Sequence, residues 1–150
     1  MKKLFVLILL IFVYGCGYSS IYQEMKKDLN LNILNMKGDF EINNFIKNDL
    51  KMLSDNNSSN IHYLNIETEY NKIVLAKDAT GKETDYNIEM KVKFIVVSNG
   101  NKIINYEENF KIKNNDDKFE QSNYERDIKR NFSKIVQEKL ILDLIKLSDN

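Results

Sequence analysis

Apolar and polar positions alternate from Asp28 to Leu34. Leu29, Leu31 and Ile33 fall on one side and Asn30 and Asn32 on the other, the period-2 pattern of a strand with one buried face. Gly38-Asp39 interrupts it, and Asp39 is placed to cap a helix running to about Leu53, with Ile42, Phe45, Ile46, Leu50 and Leu53 on one stripe. Ser54 to Asn60 is a polar loop. A long strand is predicted from Ile61 to Ala76, with Leu64, Ile66 and Tyr70 in phase. The apolar phase then slips to Ile73 and Leu75, which predicts a bulge near Asn71-Lys72.

Asp78 to Lys82, containing Gly81, reads as a turn. Thr84, Tyr86, Ile88, Met90, Val92, Phe94 and Val96 then share a face, opposite Asp85, Asn87, Glu89, Lys91 and Lys93, so one side packs and the other stays wet. Asn99-Gly100 has the residues of a type I′ hairpin turn, and the returning strand carries Ile104, Tyr106, Phe110 and Ile112 on one face. After the loop and capping segment Asn114 to Asp117, a helix is predicted from about Lys118 to Leu147. Ile128, Phe132, Ile135, Val136 and Leu142 point to a core, and the last turns, with Leu140, Ile141, Leu142, Leu144, Ile145 and Leu147, are apolar nearly all round. Either this small domain buries that end or a partner covers its second side. The expected fold is α+β: a two-layer sandwich, with two helices packed on a four-stranded, mostly antiparallel sheet.

The first residues follow a different pattern. Lys2 and Lys3 precede an apolar run from Leu4 to Tyr14, which as a helix spans about 16 Å against roughly 30 Å of bilayer hydrocarbon. That length suits the core of a signal peptide and not a transmembrane helix. Val13-Tyr14-Gly15-Cys16 resembles the bacterial lipobox, whose Cys becomes the acylated first residue of the mature protein; the alternative is an ordinary secretory signal with a chance Cys. Several acyl chains on Cys16 would anchor far more firmly than one. Gly17 is not the Asp that, in bacterial sorting, retains lipoproteins in the inner membrane, so the expected address is the outer membrane, periplasmic side. The expected division is residues 1–15 as signal peptide, 16–27 as lipid-anchored tether and 28–150 as one domain.

Composition narrows the chemistry. The 150 residues hold 22 Lys and Arg against 22 Asp and Glu, so there is no basic excess for nucleic-acid binding. One Cys and one His, Cys16 and His62, supply neither a zinc site nor an internal disulfide. No GxSxG frames a serine, and Thr80-Gly81-Lys82 lies in no P-loop. Glu107-Glu108 and Asp116-Asp117 are sequence neighbours, which in a strand point to opposite faces. No catalytic constellation, metal site or cofactor is therefore expected. What remains is recognition. Lys91 and Lys93 on the wet strand face, with Lys77 and Lys82 flanking the preceding turn, form a cationic group suited to lipid-headgroup phosphates. Exposed strand lysines also protect edges and keep proteins soluble.

Cys16-Gly17-Tyr18 is followed by strand, helix, meander and long helix. The stretch Asp78-Ala79-Thr80-Gly81-Lys82-Glu83-Thr84-Asp85-Tyr86, leading into Met90-Lys91-Val92-Lys93-Phe94, resembles the turn and strand of the LPS-assembly lipoprotein LptE family. The resemblance covers nearly the whole mature chain in element order, and only residues about 78–96 resemble the family at residue level. The resemblance implies a non-enzymatic protein that plugs the outer-membrane β-barrel LptD, assists its assembly and handles lipopolysaccharide. Where family members carry basic residues before the turn glycine and near the start of the last helix, this chain has Ala79-Thr80 and Gln121; Lys77, Lys82 and Lys118 lie nearby. A rival reading is a stand-alone periplasmic lipid carrier, which would need an enclosed apolar cavity.

Overall fold

The computed structural model describes residues 30–53, 61–97 and 101–148. The expected signal peptide and tether with Cys16, the expected loop at Ser54–Asn60 and turn at Asn99-Gly100, and the side chains of Leu53 and Leu147 lie outside them. The elements follow in the expected order: β1 (Asn30–Gly38), α1 (Phe40–Leu53), β2 (Ile61–Lys77), β3 (Glu83–Val97), β4 (Lys102–Lys113) and α2 (Lys118–Ser148). The sheet order is β1-β2-β3-β4. β1 runs parallel to β2, with α1 as the crossover, while β2, β3 and β4 form an antiparallel meander. The fold is the α+β two-layer arrangement that the pattern predicts.

Both helices lie on one face of the sheet. That face presents Leu64 and Ile66 from β2, Tyr86 to Val96 in alternation from β3, and Ile104 and Ile112 from β4. Against it α1 places Ile42, Ile46 and Leu50, and α2 places Ile128, Phe132, Val136, Leu140, Ile141 and Leu144. Burying each such side chain stabilises the fold by about 1.5–3 kcal/mol. The apolar end of α2 is thus mostly covered within the domain. Ile135, expected in the core, is instead 37% exposed, because Val136 already occupies the inward position of that turn.

Two irregularities differ from the sequence pattern. β1 continues past Leu34 to Gly38, because the register shifts between Ile33 and Asn35: Ile33 pairs with Leu64 and Asn35 with Asn65, leaving Leu34 as the extra residue. The bulge expected at Asn71-Lys72 is absent. Those residues pair regularly with Glu89 and Ile88, and the shifts fall beyond Val74, around Ala76. Ile73 lies on the outer face of a continuous strand, and Ile73 and Leu75 are both exposed. At Ile73 the apolar phase slip therefore marks a change of face, and the inserted residue is Leu75, left out of the register between Val74 and Ala76.

The turn from β1 into α1 fixes the layer spacing. Gly38 has φ of 101°, and a Cβ there would stand 1.7 Å from the Thr68 carbonyl oxygen. Thr68 Oγ1 lies 3.2 Å from the Lys37 carbonyl oxygen, 3.3 Å from that of Asp39 and 3.1 Å from Asn43 Oδ1, with one proton to share among them. Asp39 caps α1 by accepting the Ile42 N–H at 2.9 Å. Its other oxygen, with Glu41, receives Lys129 from α2, each at 2.9 Å. The Lys129 ammonium also stands 4.0 Å from the centre of the Tyr70 ring. Asp117 caps α2 in the same manner, accepting from the N–H groups of Phe119 and Glu120.

Tyr70 donates to Glu125 at 2.9 Å and Tyr106 to Asp143 at 2.7 Å. Burial, reinforced by these carboxylates, holds both phenols above their ordinary value. Tyr86 is raised through its bond to Glu83. For Lys129 burial opposes the charge, but the bonds to Glu41 and Asp39 more than offset it, and its pKa is raised.

Two predictions follow the geometry. Gly38→Ala should lower stability by at least about 2 kcal/mol, since it meets both backbone strain and the Thr68 carbonyl. Gly81→Ala, at φ of 86° but in open space, should cost only about 1–2 kcal/mol. Urea midpoints for the two variants check the order. The raised groups make the unfolded chain the first to release protons. Their stabilisation is complete below about pH 10 and is lost as pH rises through the folded values. Urea unfolding at rising alkaline pH should show this loss, and the double variant Tyr70→Phe, Tyr106→Phe should show less of it.

Candidate functional site: the open sheet face and the hairpin tip

No described helix covers the second face of the sheet, and its composition changes along the strands. At the end where β1 begins, Ile61 and Tyr63 of β2, Ile95 and Val97 of β3, and Ile103 of β4 lie together. Tyr63 pairs directly with Val97 and Ile95 with Ile103. Asn65 pairs with Ile95 at the edge of this group, and the next rows are polar: Glu67, Lys93 and Asn105, then Glu69, Lys91 and Glu107. Glu67, Glu69, Lys91, Lys93, Asn105 and Glu107 line a shallow cleft of about 300 Å³.

At the other end the β2–β3 hairpin projects, with residues 71–77 of β2 all exposed. Its turn is well ordered by Asp78, whose Oδ1 accepts from Thr80 N at 2.8 Å, Thr80 Oγ1 at 2.6 Å and Lys82 N at 3.0 Å. The Thr80 and Lys82 bonds hold Asp78 below its ordinary value. Lys82 reaches Asp116 at 2.5 Å, and Asn114 donates from its backbone to the Thr84 carbonyl and from its side chain to the Glu83 carbonyl. These bonds tie the hairpin tip to the loop before α2. Behind the tip, Glu125 accepts from Lys72 at 2.5 Å, Gln121 at 2.6 Å and Tyr70 at 2.9 Å. Burial pushes that carboxyl up, and the three donors more than offset it. The exposed apolar residues at this end are Ile73, Val74, Leu75, Phe119 and Tyr124.

The four lysines singled out by the sequence do not converge. Lys77 and Lys82 stand at the hairpin tip. Lys91 and Lys93 lie on the open face, separated from Lys82 by nine to eleven residues of strand, about 30–35 Å. Three of them are paired: Lys82 with Asp116, Lys93 with Glu67 at 3.0 Å and Lys91 with Glu107 at 3.5 Å. The open-face cleft holds three carboxylates to two ammonium groups, so it is not a cationic surface. Gln121 is buried, accepting from Asn115 N and donating to Glu125, so it serves the start of α2 and faces no ligand. His62 is the second residue of β2; its Nε2 is buried without a hydrogen-bond partner among the described residues, and burial lowers its pKa. Among the described residues, no group of three His, Cys, Asp or Glu is placed to hold a metal ion.

The apolar end of the open face is the feature that the alternation analysis missed. The sequence carries a signal for it. Phe94-Ile95-Val96-Val97 and Ile103-Ile104 are unbroken apolar runs, which in a strand place apolar groups on both faces.

No family model and no curated protein matches the chain. Solved structures do. Rare lipoprotein B from Shewanella oneidensis superposes with a TM-score of 0.57 at 13% identity, over 80% of this chain and 98% of that one. A minor lipoprotein from Acinetobacter baumannii gives 0.54 at 12% identity, over 79% and 92%. Lipoprotein B from Nitrosomonas europaea gives 0.51 at 7% identity, over 82% and 88%. At these identities the likeness establishes a shared fold alone.

Proposed function

We propose that this chain is an outer-membrane lipoprotein of the LptE kind. Anchored through acylated Cys16 on the periplasmic side, it seats in an LptD-like β-barrel and assists lipopolysaccharide assembly without catalysing a reaction. The observation that carries the reading is the fold shared with rare lipoprotein B over nearly all of that solved chain, in a chain whose Val13-Tyr14-Gly15-Cys16 resembles the lipobox. The other neighbours described above are likewise named lipoproteins. A domain with one helix-covered face and one bare, largely charged face suits a plug, because barrel lumens are polar. Contact with lipopolysaccharide phosphates is best placed at the projecting tip, at exposed Lys77. Lys82 would first have to leave Asp116, as Lys91 and Lys93 would Glu107 and Glu67.

The carrier reading is less well supported. The space between sheet and helices is filled by the chain's own side chains, with Ile42, Ile46, Ile66, Ile88, Met90, Phe94, Phe132 and Leu140 at most 1% exposed. The open-face cleft and those near the tip are open to solvent, so none offers an acyl chain an enclosed apolar cavity.

Two experiments test the proposal. A tagged full-length chain, extracted from outer membranes in mild detergent, should bring down one large β-barrel in stoichiometric amount, identified by mass spectrometry. A lone lipoprotein with retained lipid would overturn the plug in favour of the carrier. Cys16→Ser should move the chain from the membrane to the soluble fraction; unchanged membrane retention would sink the lipid-anchor reading.

A further inference from the structure

The five outward residues Ile61, Tyr63, Ile95, Val97 and Ile103 form one apolar patch across three strands, and the described helices cover none of it. Ile103 is 54% exposed, Ile61 48% and Tyr63 38%, with Ile95 and Val97 half-buried between them, so the exposed apolar groups are contiguous and not scattered singly. The patch ends at Asn65 in β2, which pairs with Ile95, and one row farther on at Lys93 and Asn105 in β3 and β4.

The position of the patch says what covers it. β1 begins at Asn30, and Asn30 pairs with Ile61, so the chain enters the sheet at the apolar end of the open face. Asn30 lies only fourteen positions after Cys16, a link that can reach at most about 50 Å. An acyl anchor on Cys16 therefore keeps this end of the domain within that reach of the bilayer, whereas the hairpin tip, at the opposite end of β2, can stand a further strand length away. The residues fit an interface as well: aliphatic groups to enter the acyl boundary and Tyr63, whose ring is amphipathic. Exposed Lys102 lies beside Ile103, at headgroup level in this arrangement. A barrel lumen, being polar, is the wrong environment for this patch, whereas the charged rows beyond it suit one.

We propose that the apolar end of the open face, Ile61, Tyr63, Ile95, Val97 and Ile103, docks on the phospholipid surface that holds Cys16. The docking sets the domain's orientation, with the β2–β3 tip pointing away from that surface. The inference rests on the lipid-anchor part of the proposed function and is independent of the barrel partner.

The chain contains no Trp, which makes the test direct. Single reporters Ile103→Trp and Asn109→Trp, both at exposed positions of β4 on the open face, are introduced into the full-length acylated chain. Each is reconstituted in phosphatidylcholine vesicles with and without bromine on the acyl chains. Emission from the Ile103→Trp chain should shift to shorter wavelength and be lost to brominated lipid. Emission from the Asn109→Trp chain should stay at the aqueous wavelength and be quenched by iodide. Tyr63→Trp is a second reporter within the patch should Ile103→Trp disturb the fold, which circular dichroism reads.

Emission from both patch reporters that is indifferent to brominated lipid and open to iodide would overturn the docking. So would a short-wavelength emission already present in the lipid-free Cys16→Ser chain together with a dimer in sedimentation, since a second copy would then cover the patch. Mass spectrometry of the same preparation reads Cys16. Acyl chains present without quenching would remove the docking alone, whereas a bare Cys16 would remove the anchor and the docking with it.

Discussion

Lys129 is the point at which both helices and the sheet meet. Its ammonium lies between Asp39 and Glu41 at the start of α1 and over the Tyr70 ring of β2, while its backbone carbonyl accepts from Ser133 within α2. A buried cation is tolerated only where its partners are fixed, since leaving either side unpaired costs several kcal/mol. The partners are fixed by the turn before α1. There Gly38 lets the backbone approach Thr68, and Asp39 uses one oxygen to cap the helix and the other to hold Lys129. The pairing thereby sets where α1 begins, how far α2 stands from the sheet and which way each helix turns its apolar stripe.

The polar contacts of α2 follow from that placement. Gln121, Glu125, Lys129, Ser133 and Gln137 recur every four residues, all buried or half-buried, beside an apolar stripe from Ile128 to Leu144. The polar stripe carries the bonds to Tyr70, Lys72 and the cap of α1, and the apolar stripe fills the core. Phe45 completes the contact between the helices, half-buried with the Arg126 and Arg130 guanidinium groups 6.0 and 5.3 Å from its ring centre. The inner layer is in consequence closed, and recognition is left to the outer surfaces.

Those surfaces are of three kinds, arranged along the strands. An apolar end lies where the chain enters the sheet, a charge-paired middle follows, and a hairpin tip stiffened by Asp78 and tied to Asp116 projects at the far end. Such a gradient suits the proposed lipid-anchored plug, which would pass from a bilayer surface into a polar lumen. The same division explains why the lysines of β3 are poor candidates for anion contact: their cross-strand neighbours already satisfy them. An exposed pair of this kind is worth little in stability but still cancels the local field.

The sequence by itself determined the element order, the cap at Asp39, the meander and the inward face of β3. Each depends on periods and end signals that act over a few residues. The tertiary structure decided the rest. The slip at Ile73 is a change of face, because neither face of β2 is buried there, and the inserted residue falls at Leu75 instead of Asn71-Lys72. The apolar end of α2 is covered mainly by its own domain, because the sheet and α1 both reach it. Lys91 and Lys93 are paired and the apolar patch is assembled by strand register, which joins Tyr63 to Val97 and Ile95 to Ile103. Register is a relation between residues tens of positions apart. No local pattern encodes it, and only the burial of the whole inner face fixes it.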